Sequence, residues 1–389
     1  GRRVPARERD GSKEGVAVKV KRLVDPAQWP ALQEQWNVLL LRSPDNNLFL
    51  TFEWLSTWWE VFGGGRELCV WLVEDRGELV GIAPLYSHTR RVAGVPLREL
   101  SLLGNQAVGS DFLGFIIKDG CERDVLAALG AELRSEPGWE RLVLEGIAAD
   151  SGLIGSLRDL GRTAGCYVSQ CPAFTCPAMT LPATWDEFMA LPDKIFKRIV
   201  QRECVKKLHK RHQVELLLSV GGQPLGPWLQ KLFDLHTERW HSAGQPGAFD
   251  DDRMKEFYSR VSALFNQRGW LRLSALRVDG NVDVMEYGVV YGDAYYSLQG
   301  GCSAQGLELK AGHVLQYHIF ESLVGNLREF RFLRGAERYK YQWGSVDKWT
   351  ASVALYRGVK AQVAGRSQNA VRGIKGLIKR MVRRRPRQK

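Results

Sequence analysis

The sheet is predicted most clearly by residues 270–301, WLRLSALRVDGNVDVMEYGVVYGDAYYSLQGG. Apolar and polar residues alternate here, and Asp279-Gly280-Asn281 and Gly292-Asp293 are favourable hairpin turns, so we expect three consecutive antiparallel strands. Next comes AGHVLQYHIFESLVGNL (311–327), which has a helical pattern, and then REFRFLRG (328–335), which is typical of a buried strand. The segment therefore predicts a meander, a crossover helix and a further strand.

The first half of the chain follows the same outline of helices, hairpins, helix and strand. We therefore predict an α/β (α+β) fold of two tandem units with mixed, mainly antiparallel sheets, whose boundary lies between residues 165 and 195. The predicted divisions are a disordered segment at 1–15, an N-terminal unit at 16–182, a C-terminal unit at 183–360 and a basic amphipathic tail at 361–389.

Composition indicates an ordinary globular protein. The chain has 389 residues, 44% of them hydrophobic and 25% charged, without an apolar run of membrane-spanning length or an apolar leader. We therefore expect a cytoplasmic protein. The seven cysteines form no CxxC pair, and Cys166, Cys171 and Cys176 are five residues apart, which does not match zinc-ligand spacing. We expect free thiols and no metal.

Positive charge is concentrated in two segments. The formal net charge is +12, but residues 194–212 carry +7 and residues 372–389 carry +9, so the rest of the chain is slightly acidic. The first segment is suited to nucleic acid, to a phosphorylated carrier or only to solvent. In the second, Ile374, Leu377, Ile378 and Met381 have helical spacing among the cations, which favours peripheral binding to an anionic membrane surface over a disordered tail.

Three segments together carry a resemblance to a known family. They are FLTFEWLSTWWEVFGGGRELCVWLVEDRGELVGIAPLY (49–86), DLHTERWHSAGQPGAF (234–249) and RFLRGAERYKYQWG (331–344). In this order they resemble the CelD/BcsL-type acetyltransferases, a branch of the GNAT superfamily often encoded near cellulose and other exopolysaccharide genes. The resemblance extends over about residues 18–357. Such proteins are similar to the Fem-type aminoacyltransferases, in which two GNAT units pack side by side and the cleft lies mainly in the second.

The resemblance implies direct transfer of an acyl group, through a tetrahedral intermediate, from acetyl-CoA to a hydroxyl or amine of a sugar, polysaccharide or cell-envelope precursor. Arg331 stands where the family usually has an acid, and the loop CSAQGLELKAGHVLQ (302–316) lacks the common glycine-rich phosphate pattern. Two alternatives stay open. One is Fem-like aminoacyl transfer from aminoacyl-tRNA, with the basic segment at 194–212 as the tRNA contact. The other is a non-catalytic, membrane-associated adaptor for exopolysaccharide assembly.

The donor's phosphates are expected at the helix that begins near residue 311. Backbone N–H groups at a helix N-terminus bind anions, and glycine allows a close approach. The alternative is an ordinary strand-to-helix loop. The candidate cofactor-binding residues are Gly306, Lys310, Ala311, Gly312 and His313.

Four residues are candidates for catalysis. His236 titrates near neutral pH and Glu286 interrupts an apolar strand, so either is a candidate base. Tyr339 is suited to protonating a departing thiolate, and Lys340 to neutralising developing negative charge. The alternative for His236 is a packed Trp240 with surface polar neighbours, and that for Glu286 is an edge or solvent-facing position. For the cluster that contains Tyr339 and Lys340, it is an aromatic plug that closes the second domain, with Glu337 and Lys340 as a surface pair.

Six further residues are predicted to contact the substrate. Arg239 and Trp240 share a helical face with His236. Aromatic side chains after Gly335 are suited to stacking on sugar rings, and Asp111 occupies the matching place in the first half. The candidates are Asp111, Arg239, Trp240, Glu337, Tyr341 and Trp343.

Overall fold

The structure, a computed structural model, describes residues 18–105, 108–218 and 224–384, with side chains up to Arg372. The segment predicted to be disordered (1–15) and the apolar stripe predicted for the tail lie outside this description. The tail's backbone continues a long helix to Arg384.

The N-terminal half contains two sets of helices around a group of strands. Its elements are β1 (Lys19–Leu23), a 3-10 helix (Pro26–Leu32), α1 (Gln33–Leu41), a 3-10 turn (Leu48–Leu50), α2 (Phe52–Phe62), β2 (Glu67–Asp75), β3 (Glu78–Val92), β4 (Val95–Leu102), β5 (Ile116–Ile117), α3 (Glu122–Ser135), β6 (Arg141–Ala148), α4 (Gly152–Thr163) and β7 (Tyr167–Thr180).

The C-terminal half repeats the order of a meander, a helix and a strand. Its elements are α5 (Trp185–Phe188), α6 (Lys194–Arg198), a π-helix (Ile199–Lys206), α7 (Lys207–Arg211), β8 (Val214–Leu218), α8 (Leu225–Ser242), a 3-10 turn (Ala248–Asp250), α9 (Asp252–Gln267), β9 (Leu271–Val278), β10 (Asn281–Tyr291), β11 (Ala294–Cys302), α10 (Ala304–Glu308), α11 (Ala311–Leu323), β12 (Glu329–Arg331), α12 (Arg338–Gln342), β13 (Val346–Tyr356) and α13 (Gly358–Arg384).

Helix starts follow local capping chemistry. The hydroxyl of Thr51 accepts a hydrogen bond from the backbone N–H of Trp54, so α2 begins where Thr51 predicted it. The side chain of Asp25 accepts one from Ala27, but the helix that follows begins as a 3-10 helix with Pro30 inside it. A proline lacks the N–H donor that a regular α-helix needs at that point.

The strands form one mixed, mainly antiparallel sheet, which confirms the predicted fold class. Its order is β1-β2-β3-β4-β6-β13-β7-β12-β11-β10-β9-β8, and β5 pairs with β3 off this path. Among the described strands, β4 pairs in parallel with β6, and β11 with β12. In each half a three-stranded meander is therefore followed by a helix and by a strand parallel to the third.

The last strand joins the other half of the sheet. β13 pairs with β6 and β7, so residues 346–356 complete the N-terminal strands, although the predicted boundaries assign them to the second unit. The division into units at residue 182 stays a prediction. Helix α13 begins at Gly358 and packs its early residues Ala361 and Ala364 against Tyr356, so the start of the predicted tail belongs to the packed fold.

No helix in the described parts of the chain is both long and apolar enough to cross a membrane.

Candidate active site

The site lies where β11 and β12 separate. Their parallel pairing comprises Ala294 with Glu329, Tyr295 with Phe330 and Tyr296 with Arg331. After Arg331, residues 332–335 follow β7 instead, because the N–H groups of Phe332 and Gly335 donate to the carbonyls of Pro177 and Thr175. The gap between residues 297–302 and 332–335 opens into a cleft of about 1060 Å³.

The matching gap in the N-terminal half is filled. β4 pairs with β6 only from Glu99 to Ser101, and beyond that point the N–H of Leu113 donates to the carbonyl of Gly146. Val108, Leu113 and Phe115 are buried there. In the N-terminal half the chain itself therefore occupies the position that stays open between β11 and β12. The open cleft is lined mainly by the C-terminal half, with Val108, Gly109 and residues 173–175 added from the N-terminal half.

Glu286 is partly buried on β10 and lines the cleft. Burial raises the pKa of its carboxyl group to about 7, against the opposing effect of hydrogen bonds from Ser297 and Tyr295. The hydroxyl of Tyr295 donates to Oε1 of Glu286 at 3.1 Å. A Cβ on Gly288 would lie 1.9 Å from that hydroxyl, so only glycine leaves room for this contact.

Tyr339, on α12, lines the same cleft. Burial raises the pKa of its hydroxyl above the usual value, and the nearby carboxylates of Glu286 and Glu337 raise it further, while Arg239 lowers it. Tyr339 therefore remains protonated at neutral pH. Glu286 and Arg239 line the same cleft as Tyr339.

His236 reaches the cleft from the other face of the sheet. Met285 and Tyr287 alternate with Glu286 along β10, and the Tyr287 ring meets Tyr258 of α9 at 5.1 Å, so Glu286 points away from α8 and α9. His236 is only 3% exposed on α8, and its Nδ1 has no hydrogen-bond partner. Burial, assisted by the positive charge of Arg239, lowers its pKa to about 4. The imidazole is therefore neutral and weakly basic at neutral pH.

Lys340 is a buried structural contact of the loop that follows β12. Its Nζ donates to the carbonyl oxygens of Leu333, Arg334 and Gly335 at 3.3, 2.9 and 3.2 Å, and it lies 2.9 Å from a carboxylate oxygen of Glu337. An ammonium group has three N–H donors, so these partners occupy its donor capacity. The geometry shows Lys340 holding the loop in shape, and its predicted role in neutralising developing negative charge stays a prediction. Leu333 has φ +60°, a strained value for a residue with a side chain.

Asp111 joins the two halves of the molecule. It is fully buried, and its carboxylate accepts hydrogen bonds from the backbone N–H and the Nε of Arg334 at 3.2 and 3.0 Å. Burial raises the pKa of Asp111, against the opposing effect of Arg334. The guanidinium of Arg334 also lies 3.8 Å from the ring centre of Phe174, which lines the cleft. Asp111 itself does not line the cleft. Its carboxylate holds Arg334 in place, and its predicted contact with substrate stays a prediction.

The start of α11 forms one wall of the cleft. Lys310, in the left-handed conformation at φ +55°, precedes Ala311, and no side chain caps this helix end. A Cβ on Gly312 would meet no atom within 4 Å. Further along the helix, Gln316 is 7% exposed, lines the cleft and has an Nε2 without a hydrogen-bond partner. The N–H of His313 donates to the carbonyl of Lys310, so the open donors of this wall are the N–H groups of Ala311 and Gly312 and the Nε2 of Gln316.

The structure brings most of the predicted residues together at the cleft and places four elsewhere: Asp111, described above, and Ala311, Tyr341 and Trp343. Those that line the cleft are His236, Arg239, Trp240, Glu286, Gly306, Lys310, Gly312, His313, Glu337, Tyr339 and Lys340. Ala311 is buried in the core under α11. The Tyr341 hydroxyl donates to Asp347 at 2.7 Å, outside the cleft. Trp343 is fully buried between Phe188, Phe196 and Phe320, so it plugs the core as the alternative interpretation held.

Comparison with known proteins agrees with this geometry. Residues 197–341 match the family model described as an acetyltransferase (GNAT) domain. The chain carries a GNAT acetyltransferase domain. The matched segment contains the β11–β12 gap, the start of α11 and Tyr339. This protein is an acyltransferase, and its finer assignment to the CelD/BcsL type stays a proposal.

Solved structures share the fold at low identity. FemX gives a TM-score of 0.60 at 11% identity, covering 86% of this chain and 96% of FemX. A conserved protein of unknown function from Bacteroides thetaiotaomicron VPI-5482 gives 0.53 at 12% identity, covering 87% and 100%. The C-terminal domain of a putative lysylphosphatidylglycerol synthetase from Agrobacterium fabrum gives 0.51 at 10% identity, covering 87% and 95%. No curated protein sequence matches the chain.

Sequence reasoning missed the residues that support Glu286 within the GNAT domain. Tyr295 and Ser297 are two residues apart on β11, so their side chains lie on the same face of the strand. These two hydroxyl groups on an otherwise apolar strand were the available signal that the strand faces a polar partner. A bulge disturbs the pattern, because Tyr287 pairs with Gln299 but the next residue pairs with Ser297, which leaves Leu298 as the extra residue. Within the described ranges, no three His, Cys, Asp or Glu side chains are grouped to hold a metal ion.

Proposed function

We propose that this acyltransferase uses acyl-CoA, with acetyl-CoA as the donor, to acylate a hydroxyl or amine of a sugar, polysaccharide or cell-envelope precursor. The observation that carries the proposal is the gap between β11 and β12 beside the uncapped start of α11. Two diverging parallel strands expose backbone groups to a ligand, and the helix start supplies N–H donors to an anion.

The residues of this wall suit a phosphate-bearing donor. Gly312 leaves open space at the helix start, and Lys310 supplies a cation beside it. The Nε2 of Gln316 is a buried donor without a partner, so it is available to an acceptor oxygen deeper in the cleft. Acyl-CoA bound here supplies an activated thioester.

Glu286 is the better general base of the two candidates. A base works best when its pKa lies near the working pH. The pKa of Glu286 is about 7, whereas that of His236 is about 4, so only Glu286 combines a large deprotonated fraction with useful basicity. Glu286 accepts the acceptor's proton, and His236 shapes the opposite wall as a neutral side chain.

Tyr339 and the bulge at Leu298 supply the remaining groups. Tyr339 holds its proton at neutral pH and donates it to the leaving thiolate. The bulged residue is left out of the strand ladder, so its N–H is available to negative charge developing on an acyl oxygen. Burial raises the pKa of Cys302, which lines the cleft, to about 11, and this thiol is therefore a poor nucleophile. The acyl group is therefore transferred directly from the donor to the acceptor.

The acceptor side is formed by both halves. Trp240 is 37% exposed at the cleft and presents a ring face to a sugar. Phe174, held under Arg334, presents a second aromatic surface from the N-terminal half. Arg239 makes no ion pair with another described residue and is available to an anionic group of the acceptor or the donor.

Isothermal titration calorimetry with acetyl-CoA, CoA and aminoacyl-tRNA tests the donor. Gly312→Asp adds a negative charge at the second residue of α11, which favours the helix but repels phosphate. Two like charges about 4 Å apart near a protein surface repel enough to weaken acetyl-CoA binding by about 100-fold.

Gly226→Asp is the matched control, because Gly226 is the second residue of α8, does not line the cleft, and likewise has open space around a Cβ. Equal acetyl-CoA affinity in both variants, or binding of aminoacyl-tRNA alone, contradicts the proposal. Membrane binding through residues 372–389 stays a further proposal.

A further inference from the structure

The surface helix formed by α6, the π-helix and α7, called here the basic helix (194–211), carries an ordered stripe of cations. Lys194, Arg198, Arg202, Lys206 and Lys210 recur at every fourth position and are exposed. In a regular α-helix, residues four apart drift by about 40° around the axis. The wider turn of the π-helix at 199–206 offsets part of this drift, so the five side chains stay on one side.

The opposite side of the basic helix is fixed in the core. Phe196, Val200, Cys204 and Leu208 are buried and also recur every four residues. They are offset by two positions from the cations, which places them about half a turn away on the helix. The Phe196 ring contacts His313 of α11 at 5.5 Å. The cations are therefore held outward on a rigid support beside the wall of the cleft.

These cations have no partners within the described structure. No ion pair or hydrogen bond from a side chain of the stripe is present, and the ion pair found on this helix joins Lys207 to Glu203, off the stripe. Protein surfaces usually intersperse acids among bases. The acids nearest this stripe are engaged elsewhere, because Asp193 caps the helix and Glu203 pairs with Lys207. A polyanionic partner would be complementary to the stripe.

Exposed aliphatic side chains flank the stripe at its N-terminal end. Ile195 and Ile199 are 62% and 36% exposed one turn apart on the helix, and Leu191, which precedes the N-cap Asp193, is 47% exposed. Nucleic acid offers phosphates to cations but little for exposed aliphatic groups, and its bases stack on aromatic rings. A lipid surface accepts both, because apolar side chains enter the headgroup region while Lys and Arg bind anionic headgroups.

We infer that the basic helix docks on an anionic phospholipid bilayer and brings α11, which forms one wall of the cleft, close to that surface. The docking surface consists of the five cations and the three aliphatic residues. It is independent of the donor's identity, and it is separate in sequence from the tail at 372–389.

Vesicle sedimentation of the full chain tests this inference. The charge-reversal variant Arg198→Glu/Arg202→Glu/Lys206→Glu should bind vesicles of phosphatidylcholine with phosphatidylglycerol at least about tenfold more weakly than the unaltered protein. The control Lys19→Glu/Arg123→Glu/Lys231→Glu changes the net charge equally at exposed, unpaired cations on three other elements, and should bind as the unaltered protein does. All proteins keep the same residues 373–389, so the tail contributes equally.

A second variant separates lipid from nucleic acid. Ile195→Gln/Ile199→Gln keeps every charge and should weaken binding to the same vesicles at least about threefold, because it removes apolar groups that the bilayer would bury. Full vesicle binding by the charge-reversal variant overturns the inference. Full vesicle binding by the isoleucine variant also overturns it, as does the result that the stripe is needed to bind tRNA and not vesicles.

Discussion

Replacing Glu286 by glutamine should abolish most activity while stabilising the fold at alkaline pH. Glutamine keeps the size of the side chain and an oxygen that accepts from Tyr295, but it cannot take up the acceptor's proton. Positioned general bases typically contribute about 100- to 10,000-fold to rate, so kcat/KM should fall by that range. In the unaltered enzyme, kcat/KM should rise with pH through about 7, because the carboxylate must be deprotonated.

Glu286→Gln lowers kcat/KM but should raise the free energy of unfolding at alkaline pH. Burial raises the pKa of Glu286 from 4.5 to about 7, so the folded state holds a proton that the unfolded state has already lost between these values. The stabilisation from the protonated form is complete below pH 4.5 and is lost as pH rises through about 7. The loss amounts to at most about 3 kcal/mol, because each pKa unit corresponds to about 1.4 kcal/mol and the partial exposure of the side chain reduces it.

Two assays check this prediction against a matched control. Thiol release from acetyl-CoA with a panel of amino sugars gives the rate, and urea unfolding at pH 5 and pH 8 gives the free energy of unfolding. Glu308→Gln alters an exposed carboxylate on the neighbouring α10 and should change neither quantity. The reasoning is refuted if Glu286→Gln keeps more than a tenth of the activity. It is also refuted if the substitution leaves the pH dependence of stability unchanged.

Three further substitutions test the surroundings of the site. Tyr295→Phe removes a hydrogen bond that lowers the pKa of Glu286, so the midpoint of the pH–rate profile should move upward; an unchanged midpoint would argue against this contact. Arg334→Met leaves the buried Asp111 charge without its partner and should lower the free energy of unfolding by about 3–5 kcal/mol in urea titrations, whereas a loss below 1 kcal/mol would contradict the junction. Tyr341→Phe should leave kcat/KM unchanged, since the Tyr341 hydroxyl forms its hydrogen bond outside the cleft. A tenfold loss of kcat/KM would indicate that Tyr341 does act in the site.

Local patterns in the sequence predicted much of the fold. The Asp279-Gly280-Asn281 and Gly292-Asp293 turns join β9, β10 and β11 as expected, and α11 begins at Ala311. These features depend on neighbouring residues, so a sequence window contains their causes. The position of β13 between β6 and β7 depends on pairing across about 200 residues, which no local pattern encodes.

The site was predictable in its composition and less so in its contacts. Tyr339 and Trp343 come from one short segment, yet α12 turns the first into the cleft and the second into the core. The donor groups of Lys340 are used by carbonyls of the preceding loop, and Arg334 finds Asp111 more than 200 residues away. Burial and such distant partners set the roles of these side chains, and neither can be read from spacing alone.

A crystal structure with acetyl-CoA tests the central claim most directly. The account predicts density for the diphosphate at the backbone N–H groups of Ala311 and Gly312. It also predicts that the acyl group lies between residues 297–302 and 332–335, with Glu286 on the acceptor side and Tyr339 near the sulfur. Ordered acetyl-CoA elsewhere on the protein, or an empty cleft in crystals grown at saturating acetyl-CoA, would contradict it.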